Sequence, residues 1–385
     1  MPIDVLIAGG GTGGHTSPGL AVAALLRERG LACAWIGSRA GVEARQVPAA
    51  GVPYHAIPTG KLRRALAWHH AIPTGKLRRA LAWQNVVDLA VHVPAGVLRA
   101  RALVKALAPR AVFATGGYVA LPVVLAAASL RVPVVVHEQT AVPGLANRIG
   151  ARVARRIAVT FPDGAGRFPA AKVVVTGNPL RPELRAGSRA EAAARFGLDE
   201  SLPLVYVTGG AQGAHRINRA VGATLAPLLD GAQVIHQSGD NPETGDRAWL
   251  EAERAALPPA LARRYTVVPW VGPELAGIYA AAALVVARAG AGTVNECCQL
   301  GVPALYVPLP GARGDEQTAN ARLVERAGGA AVLPQAELTP ERLLAAIRRL
   351  LADAPRLKQM GERARRLAIP DAAERLVALL TECLR

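Results

Sequence analysis

The feature that most limits the fold of this 385-residue sequence is the alternation of short β-branched runs with longer helical stretches. The runs are bounded by glycine and proline, a pattern typical of βαβ units and parallel sheets. The first half predicts strands near residues 3–8, 32–36, 111–114, 132–137 and 173–176. The alternation then restarts, with strands near 203–208, 232–236, 265–268, 283–287 and 303–307 and helices from about 214, 245, 273, 293, 316 and 339. The chain is therefore predicted to be α/β, with two Rossmann-like, doubly wound parallel-sheet domains joined near residues 177–182.

Length and composition agree with this prediction. A chain of this size exceeds the length at which a single hydrophobic core stops growing, so two domains are expected. Residues are 51% apolar but only 4% aromatic, which favours helices packed on buried strands over a β-sandwich. The net charge of +17 fits nucleic acid, an anionic membrane, a phosphorylated substrate or a solvated arginine-rich surface. Because arginine is spread along the chain without a basic and aromatic stripe, nucleic acid has little support.

The cellular compartment is predicted from cysteine usage and from apolar segments. Cys33, Cys297, Cys298 and Cys383 show neither C-x-x-C spacing nor the density of a disulfide scaffold, which favours a reducing compartment. The N-terminus enters a strand-like run without the basic and apolar regions of a signal peptide. The longest uncharged apolar run, residues 275–287, is shorter than the roughly 20 residues that span a bilayer. We therefore expect a cytoplasmic chain whose membrane contact is peripheral.

One segment is repeated without change. HAIPTGKLRRALAW occupies residues 55–68 and recurs at residues 70–83. Two copies are too few for a solenoid, which points to a tandem duplication in a tolerant connection. Two alternatives stay open. The basic, tryptophan-bearing copies suit an anionic membrane surface, or they form an ordinary connecting helix that is doubled.

The first strand ends in the glycine-rich sequence GGGTGGH at residues 9–15, and a helix is predicted from near Ser17. Glycines allow a ligand to approach the backbone, and amides at a helix start can hold phosphate. His15 suits a general base, or else it caps or packs against the helix. A dinucleotide site would need an acid after the second strand, where the sequence is GSR at 37–39. An NADP site that uses Arg39 remains the alternative.

Two further segments of the first half follow strands. TGGY lies at residues 115–118, and HEQT at 137–140 precedes PGLANR at 143–148. Because the carboxyl ends of parallel strands share one edge, all three segments should line one crevice. The HE pair is not a zinc motif, since Ala141 stands where H-E-x-x-H needs its second histidine. Glu138 is expected either to hold the neighbouring loops or to act in catalysis.

The second half repeats this logic. TGGAQGA at 208–214 follows its first strand, and RAGAGTVNE at 288–296 joins a buried strand to a helix. We expect Glu296 in the first helical turn, where its carboxylate either binds ribose hydroxyls or stabilises the helix dipole. DEQTAN at 315–320 either supplies amides that bind sugar hydroxyls or starts a helix.

Taken together, these segments resemble the MurG family of bacterial peptidoglycan glycosyltransferases. The resemblance runs in order along nearly the whole chain. It rests on GGGTGGH at 9–15, GGY at 116–118, HEQ and GLANR within 137–148, TGNPLR at 176–181, GGAQGA at 209–214, HQSG at 236–239, the stretch 288–296, Gln317 with Asn320, IPD at 369–371 and ER at 374–375.

The resemblance implies a GT-B fold with a deep interdomain cleft. Residues 1–178 would form the acceptor and membrane-side domain, with a helix at 371–385 packing back on it, and residues 179–370 would bind UDP-N-acetylglucosamine. The implied reaction is inverting transfer of N-acetylglucosamine from UDP-N-acetylglucosamine to the C4 hydroxyl of undecaprenyl-pyrophosphoryl-MurNAc-pentapeptide. This step converts lipid I to lipid II in peptidoglycan synthesis, and so serves cell-wall biogenesis, cell shape, cell division and the cell cycle.

The resemblance also implies partners, location and site residues. The chain would bind lipid I and the anionic surface at the cytoplasmic face of the inner membrane, with other cell-wall synthesis proteins as further partners and no nucleic acid. The resemblance implies that no cofactor or metal is required and that a divalent cation would act only as a stimulant. His15 would be the catalytic base. The donor would contact Thr12, Gly13, Gly14, Thr140, Arg181, Ala211, Val271, Ala291, Gly292, Thr293, Val294, Asn295, Glu296 and Gln317. The acceptor side would comprise Gly11, Gly116, Gly117, Tyr118, Glu138 and Asn147.

Three departures from the family pattern bear on these expectations. Thr140 replaces a usual asparagine, Ala211 replaces a usual serine, and the duplication falls in the region expected near membrane and acceptor. The missing hydroxyl at residue 211 should cost about 1 kcal/mol of donor binding. The alternative functions are a different GT-B transferase, a UDP-sugar epimerase, an NADP-dependent oxidoreductase and a non-enzymatic membrane scaffold.

Overall fold

The structure, a computed structural model, describes residues 3–58, 93–311 and 314–384. Contacts between Cα atoms divide the chain into two compact units. Unit 1 comprises Met1–Gln139, Pro143–Pro179 and Asp371–Arg385, and unit 2 comprises Thr140–Val142 and Leu180–Pro370. Most of the duplicated segment, from residue 59 onward, lies outside the described residues. Of its first copy, His55 to Ile57 lie in a strand.

Unit 1 is built on a seven-stranded sheet in which every neighbouring pair is parallel. Its order is β3-β2-β1-β4-β5-β6-β7. The strands are β1 Val5–Gly9, β2 Cys33–Ser38, β3 Tyr54–Ile57, β4 Ala111–Gly116, β5 Val134–Glu138, β6 Arg156–Val159 and β7 Val173–Val175. The described helices between them are α1 Gly13–Glu28, α2 Glu43–Ala49, α3 Val93–Leu107, α4 Ala120–Ser129, α5 Leu145–Val153 and α6 Pro162–Ala165, with a 3-10 turn at Ala170–Lys172.

Unit 2 is built on a six-stranded parallel sheet of order β10-β9-β8-β11-β12-β13. Its strands are β8 Leu204–Thr208, β9 Gln233–Gln237, β10 Tyr265–Val268, β11 Ala282–Ala287, β12 Ala304–Tyr306 and β13 Ala330–Val332. Its helices are α7 Arg189–Phe196, α8 His215–Gly222, α9 Leu225–Leu229, α10 Asp246–Ala255, α11 Pro259–Ala262, α12 Leu275–Ala281, α13 Ala291–Leu300, α14 Glu316–Arg326, α15 Pro340–Leu351 and α16 Ala354–Arg365. Two 3-10 turns lie at Pro182–Ala186 and Gln335–Glu337. The final helix, α17 Ala372–Leu384, belongs to unit 1.

The strands are apolar on both faces because helices cover both sides of each sheet. In β1, Leu6 and Ala8 pack with α3, α4 and α5, whereas Val5 and Ile7 point to the opposite face. That second face is covered by α1, α2 and α17, whose residues Leu376 and Leu380 are fully buried. In unit 2 a cluster that includes Val205 and Val207 packs the sheet against α8, α10, α15 and α16. Every strand predicted from the sequence is confirmed, although the exact bounds move by one or two residues.

Three strands were not predicted, and all three lie at or next to a sheet edge. They are β3, β6 and β13, of three or four residues each. Their sequences, YHAI, RIAV and AAV, contain few β-branched residues and carry polar or alanine positions that are equally common in helices. Pairing with a neighbouring strand, rather than local propensity, places them in the sheet.

The predicted start of α1 near Ser17 is wrong. The helix begins at Gly13, with Thr12 as its N-cap, and it contains Pro18 in its interior. Gly13, Gly14 and Pro18 are poor helix formers, so the local sequence predicts a loop. Packing of α1 against β1 and β4 holds the segment as a helix. Gly13, Gly14 and His15 therefore occupy the first helical turn. The His15 amide donates to the Thr12 carbonyl at 3.2 Å, which leaves the amides of Gly13 and Gly14 for a ligand.

Two findings bear on membrane and redox expectations. Within the described part of the chain, no helix is long and apolar enough to cross a membrane. All four cysteines are buried thiols. Burial raises the pKa of each thiol, which keeps the sulfur protonated and unreactive near neutral pH.

Two buried histidines predict a pH dependence of stability. Burial lowers the pKa of His137 to about 4 and that of His236 to about 3. The unfolded chain takes up protons near pH 6.5, whereas these folded histidines stay neutral, so the free energy of unfolding should fall as the pH drops below about 6.5. Between pH 7 and pH 5 each should cost on the order of 2 kcal/mol.

Denaturant unfolding at several pH values measures this effect. His236→Asn also removes the hydrogen bonds of His236 with Tyr265 and Asn218, which lowers stability at every pH. The variant should nevertheless show a shallower acid slope than the wild type. A slope unchanged by this substitution would contradict the assignment of the buried neutral histidine as its source.

Candidate active site

The glycine-rich loops lie at the switch point of each sheet. In unit 1 the strand order reverses between β1 and β4, which are followed by the segments 9–15 and 115–118. In unit 2 it reverses between β8 and β11, which are followed by the segments 208–214 and 288–296. Open parallel sheets bind ligands at this position, outside the carboxyl ends of the strands. The topology therefore places the predicted motifs where a ligand site is expected.

In unit 1 the loops after β1 and β4 touch through glycine. A Cβ on Gly117, whose φ is +80°, would lie 2.4 Å from the carbonyl oxygen of Gly10. A Cβ on Gly11, whose φ is +84°, would lie 2.7 Å from the Tyr118 ring. Any larger residue would push the two loops apart. The residues predicted for the acceptor side, Gly11, Gly116, Gly117 and Tyr118, are thus brought together with His15, whose ring lies 3.1 Å from a Cβ built on Gly116.

The Nδ1 atom of His15 contacts two oxygen atoms of the protein. Its Nδ1 lies 3.0 Å from the Thr115 carbonyl oxygen and 3.0 Å from Gln139 Oε1. A carbonyl oxygen only accepts, so Nδ1 carries the proton in the neutral ring, and Nε2 then carries the lone pair. This tautomer is the one that a general base requires. The alternative that His15 caps α1 is wrong, because the N-cap is Thr12 and the ring contacts β4 and the segment after β5.

Gln139, which sequence reasoning did not single out as a site residue, orients His15. Its Nε2 donates to the Thr115 carbonyl at 2.6 Å and lies 3.2 Å from His137 Nδ1. His137 in turn donates from Nε2 to the Gly177 carbonyl at 3.0 Å. Since burial keeps His137 neutral, its Nδ1 accepts from Gln139 and the amide is fixed with Oε1 toward His15. In the sequence, the motif HEQ at 137–139 was the signal that could have identified Gln139.

Glu138 and Asn147 hold the neighbouring loop. The buried Glu138 carboxylate accepts hydrogen bonds from Gly144 N at 3.1 Å and from Asn147 Nδ2 at 2.9 Å, both through Oε2. Asn147 also donates to the His137 carbonyl at 3.1 Å. These contacts support the loop-holding alternative for Glu138. Their role toward an acceptor stays a prediction.

Glu43 and Trp35 position the first glycine loop, and neither was predicted. The fully buried Glu43 accepts from Gly11 N through Oε2 at 2.8 Å, and from Ser38 N and Ser38 Oγ through Oε1 at 3.0 and 2.6 Å. Trp35 donates from Nε1 to the Gly9 carbonyl at 2.9 Å. A dinucleotide site would need an acidic residue at 37–39 to bind ribose. The acidic residue after β2 is instead Glu43, and its carboxylate binds the first glycine loop.

In unit 2, Glu296 lies in the second turn of α13, so the expectation that it lies in the first turn is wrong. The helix begins at Ala291 because Gly290 serves as N-cap, and its first turn holds no acidic residue. The dipole-stabilising alternative fails for the same reason. Instead, the Tyr279 hydroxyl donates to Glu296 Oε2 at 2.8 Å, and Arg181 Nη2 lies 3.8 Å from Oε1. Burial raises the pKa of Glu296, while Tyr279 and Arg181 lower it.

The rest of the α13 segment offers backbone rather than side chains. Ala291, Gly292 and Thr293 are half-buried at the helix start, where no side chain caps the amides. The side chains of Val294 and Asn295 are buried, which leaves only their backbone to a ligand. The same holds for Val271, which follows β10 and is buried. A helix start of this kind suits phosphate.

The other predicted donor residues of unit 2 divide into two groups. Ala211 is exposed in the turn after β8, and Gln317 is half-buried near the start of α14, where its Oε1 accepts from Leu309 N at 3.0 Å. Thr140 is buried and donates to the Val142 carbonyl at 2.7 Å. Asn320 is buried between Ala141 N and the Ala289 carbonyl, so its amide holds the fold. Only Gln317 of the segment 315–320 keeps the predicted sugar-binding role open.

A metal site was not predicted. Among the residues that the structure describes, no three His, Cys, Asp or Glu side chains are grouped so that they could hold a metal ion.

Comparison with known proteins identifies the class and then the family. The profile of the glycosyltransferase family 28 N-terminal domain matches residues 5–159, and that of its C-terminal domain matches residues 204–376. Two parallel-sheet domains with this sequence signature define a GT-B glycosyltransferase, which confirms the predicted fold class. The structure resembles the crystal structure of Acinetobacter baumannii MurG, with a TM-score of 0.70 and 30% identity over 99% of this chain and 100% of that one. The chain belongs to glycosyltransferase family 28 and, within it, to the MurG family.

Curated relatives support the same assignment. A protein of Nocardioides sp. is 41% identical over 98% of this chain and 97% of its own length, and one of Halorhodospira halophila is 43% identical over 98% of each. Both are named UDP-N-acetylglucosamine–N-acetylmuramyl-(pentapeptide) pyrophosphoryl-undecaprenol N-acetylglucosamine transferase. The chain is thus a glycosyltransferase, and the family assignment disfavours the NADP-dependent oxidoreductase and the non-enzymatic scaffold.

Proposed function

We propose that this chain transfers N-acetylglucosamine from UDP-N-acetylglucosamine to the C4 hydroxyl of undecaprenyl-pyrophosphoryl-MurNAc-pentapeptide, converting lipid I to lipid II. The observation that carries the proposal is the match, over nearly the full chain, to curated transferases named for this reaction. Unit 1 presents the general base and binds the acceptor, whereas unit 2 binds the donor.

The reaction is an inverting displacement at the anomeric carbon. His15 Nε2 removes the proton from the acceptor C4 hydroxyl while that oxygen attacks, and the bond to the UDP oxygen breaks. The departing diphosphate gains negative charge, which Arg181 and the uncapped amides at the start of α13 stabilise. Glu296 accepts hydrogen bonds from the uridine ribose, and Gln317 contacts the sugar. Since protein groups balance the leaving charge, we propose that no cofactor is required and that a divalent cation acts at most as a stimulant.

The location follows from the acceptor. A lipid-linked acceptor confines the reaction to a bilayer surface, and a chain of net charge +17 is attracted to anionic lipids. We therefore propose a peripheral enzyme at the cytoplasmic face of the cell membrane.

Transfer of labelled N-acetylglucosamine from UDP-N-acetylglucosamine to a lipid I analogue tests the proposal. We expect a product that carries one added sugar in β linkage, and the same product, at a rate within about tenfold, when the metal chelator EDTA is added. No transfer to the analogue, together with transfer to a different acceptor, would reassign the chain to another GT-B reaction. Complete loss of activity in EDTA would overturn the metal-independent part of the proposal.

Ala211 offers a gain-of-function prediction. It is exposed in the turn after β8, where the MurG family usually has serine. Ala211→Ser should restore one hydrogen bond to the donor, worth about 1 kcal/mol, and lower the KM for UDP-N-acetylglucosamine about fivefold. Steady-state kinetics measures the change. Ala223→Ser, at an exposed alanine beyond the far end of α8, is the matched control and should leave KM unaltered. An unchanged KM in Ala211→Ser would remove residue 211 from the donor site.

A further inference from the structure

Tyr279 is a buried tyrosine whose hydroxyl donates to the carboxylate of Glu296. It lies on α12, is only 3% exposed, and donates to Glu296 Oε2 at 2.8 Å. Its ring packs edge-on against the ring of Tyr206, with centroids 5.8 Å apart and planes at 86°. Tight packing of the ring fixes the position of the hydroxyl. The hydroxyl is therefore a rigid donor.

One oxygen of the Glu296 carboxylate accepts a hydrogen bond from Tyr279, and the carboxylate is still partly accessible to a ligand. Its side chain is 16% exposed, and the second oxygen, Oε1, lies 3.8 Å from Arg181 Nη2. An ionised carboxylate has about four acceptor sites, of which Tyr279 uses one. The remaining sites can accept from hydroxyl groups of a ligand. Without Tyr279, the carboxylate would be free to rotate about its terminal torsion, which is intrinsically broad.

We infer that Tyr279 is a positioning residue for nucleotide recognition, and that its hydroxyl orients the Glu296 carboxylate to accept hydrogen bonds from the ribose hydroxyls of the donor. This inference rests on the proposed function, because it takes Glu296 as the ribose-binding group. Tyr279 acts on the donor only through Glu296. Tyr279 therefore affects the affinity for the nucleotide. It does not affect the rate of the chemical step, which depends on His15 of unit 1.

The charges around Glu296 give the inference a pH signature. Burial raises the pKa of the carboxyl, and the Tyr279 hydroxyl and the Arg181 guanidinium oppose this rise. The other titratable groups that face it are Tyr206, Cys297 and Tyr306, and burial raises the pKa of each, so all three are neutral at neutral pH. Loss of the Tyr279 hydroxyl should therefore raise the pKa of Glu296 further. Nucleotide affinity should then begin to fall at a higher pH.

Calorimetric titration of the full chain with UDP, from about pH 5 to about pH 8, tests the inference. Tyr279→Phe keeps the ring and removes the hydroxyl, and we expect the variant to bind UDP about fivefold to tenfold more weakly. The acid limb, the range in which UDP affinity falls as the pH is lowered, should shift to higher pH. At saturating donor its kcat should stay within about twofold of wild type. Tyr206→Phe is the matched control, because it removes a buried hydroxyl from the same ring pair, one that donates to Gln237 Oε1 at 2.7 Å. Its UDP affinity should change by less than about twofold.

A double-mutant cycle separates action through Glu296 from a general structural effect. In a Glu296→Gln background, adding Tyr279→Phe should cost less than about twofold. Wild-type affinity and an unshifted acid limb in Tyr279→Phe would overturn the inference and leave the proposed function standing. An equal penalty in both backgrounds would likewise overturn it. If the wild-type chain failed to bind UDP at all, this result would contradict the proposed function. It would also overturn the inference, which rests on that function.

Discussion

Replacing His15 with alanine is expected to lower kcat for sugar transfer by about 10²-fold to 10⁴-fold and to leave UDP affinity unchanged. The His15 imidazole donates from Nδ1 to the Thr115 carbonyl, so Nε2 carries the lone pair that takes a proton. Without it, the acceptor hydroxyl must lose its proton to water. Single-turnover transfer to a lipid I analogue measures the rate, and calorimetry with UDP measures binding.

The control for this variant is another histidine of the same unit. His55 lies on the edge strand β3, and His55→Ala should transfer sugar at the wild-type rate. Equal activity in His15→Ala and wild type would remove His15 as the base. A rate loss matched by an equal loss of UDP affinity would instead indicate that the substitution disturbs the whole loop.

Replacing Glu296 with glutamine is expected to weaken UDP binding by about tenfold to a hundredfold. The substitution keeps the shape of the side chain but removes the charge that strengthens hydrogen bonds from ribose hydroxyls, which are worth about 1.5–3 kcal/mol with a charged acceptor. The KM for the donor should rise by a similar factor, whereas kcat at saturating donor should change little. Calorimetry with UDP and steady-state kinetics check the two expectations separately.

Glu183 supplies a matched control for the charge. Its Oε1 lies 3.8 Å from Arg181 Nη1, the same separation that joins Glu296 to that arginine, but its side chain is 61% exposed. Glu183→Gln therefore changes the charge near Arg181 without touching the predicted ribose site, and UDP affinity should stay within about twofold. Equal losses in both variants would mean that the effect passes through Arg181 and not through a ribose contact.

The sequence predicted the architecture because the strongest signals are local. The β-branched runs bounded by glycine and proline predicted ten strands, eight of them inside the sheets and two, β7 and β10, at an edge, and all ten are confirmed. The edge strands β3 and β13 were not predicted because their short sequences carry no strand preference of their own. The start of α1 was misplaced because Gly13 and Gly14 are poor helix formers, and sheet packing overrides that preference.

The candidate site was predicted only where a residue sits inside a recognisable motif. His15 and Glu296 were named because each closes a glycine-rich segment after a strand. Their supporting residues were not, since each contact joins distant parts of the chain. Gln139 is 124 residues from His15, and Glu43 is 32 residues from Gly11. Tyr279, only 17 residues from Glu296, sits in an apolar run that shows no polar function by itself.

The placement of α17 has a consequence for how the protein is made. Unit 1 is formed by segments on both sides of unit 2 in the sequence, and Leu376 and Leu380 of α17 pack in one apolar cluster with Val22 and Leu26 of α1. Until the ribosome has translated all of unit 2, the nascent chain lacks α17, and this apolar layer is incomplete. An incomplete translation product would therefore expose an apolar surface and become a substrate for chaperones and proteases. Unit 2, by contrast, can complete its own hydrophobic core during synthesis.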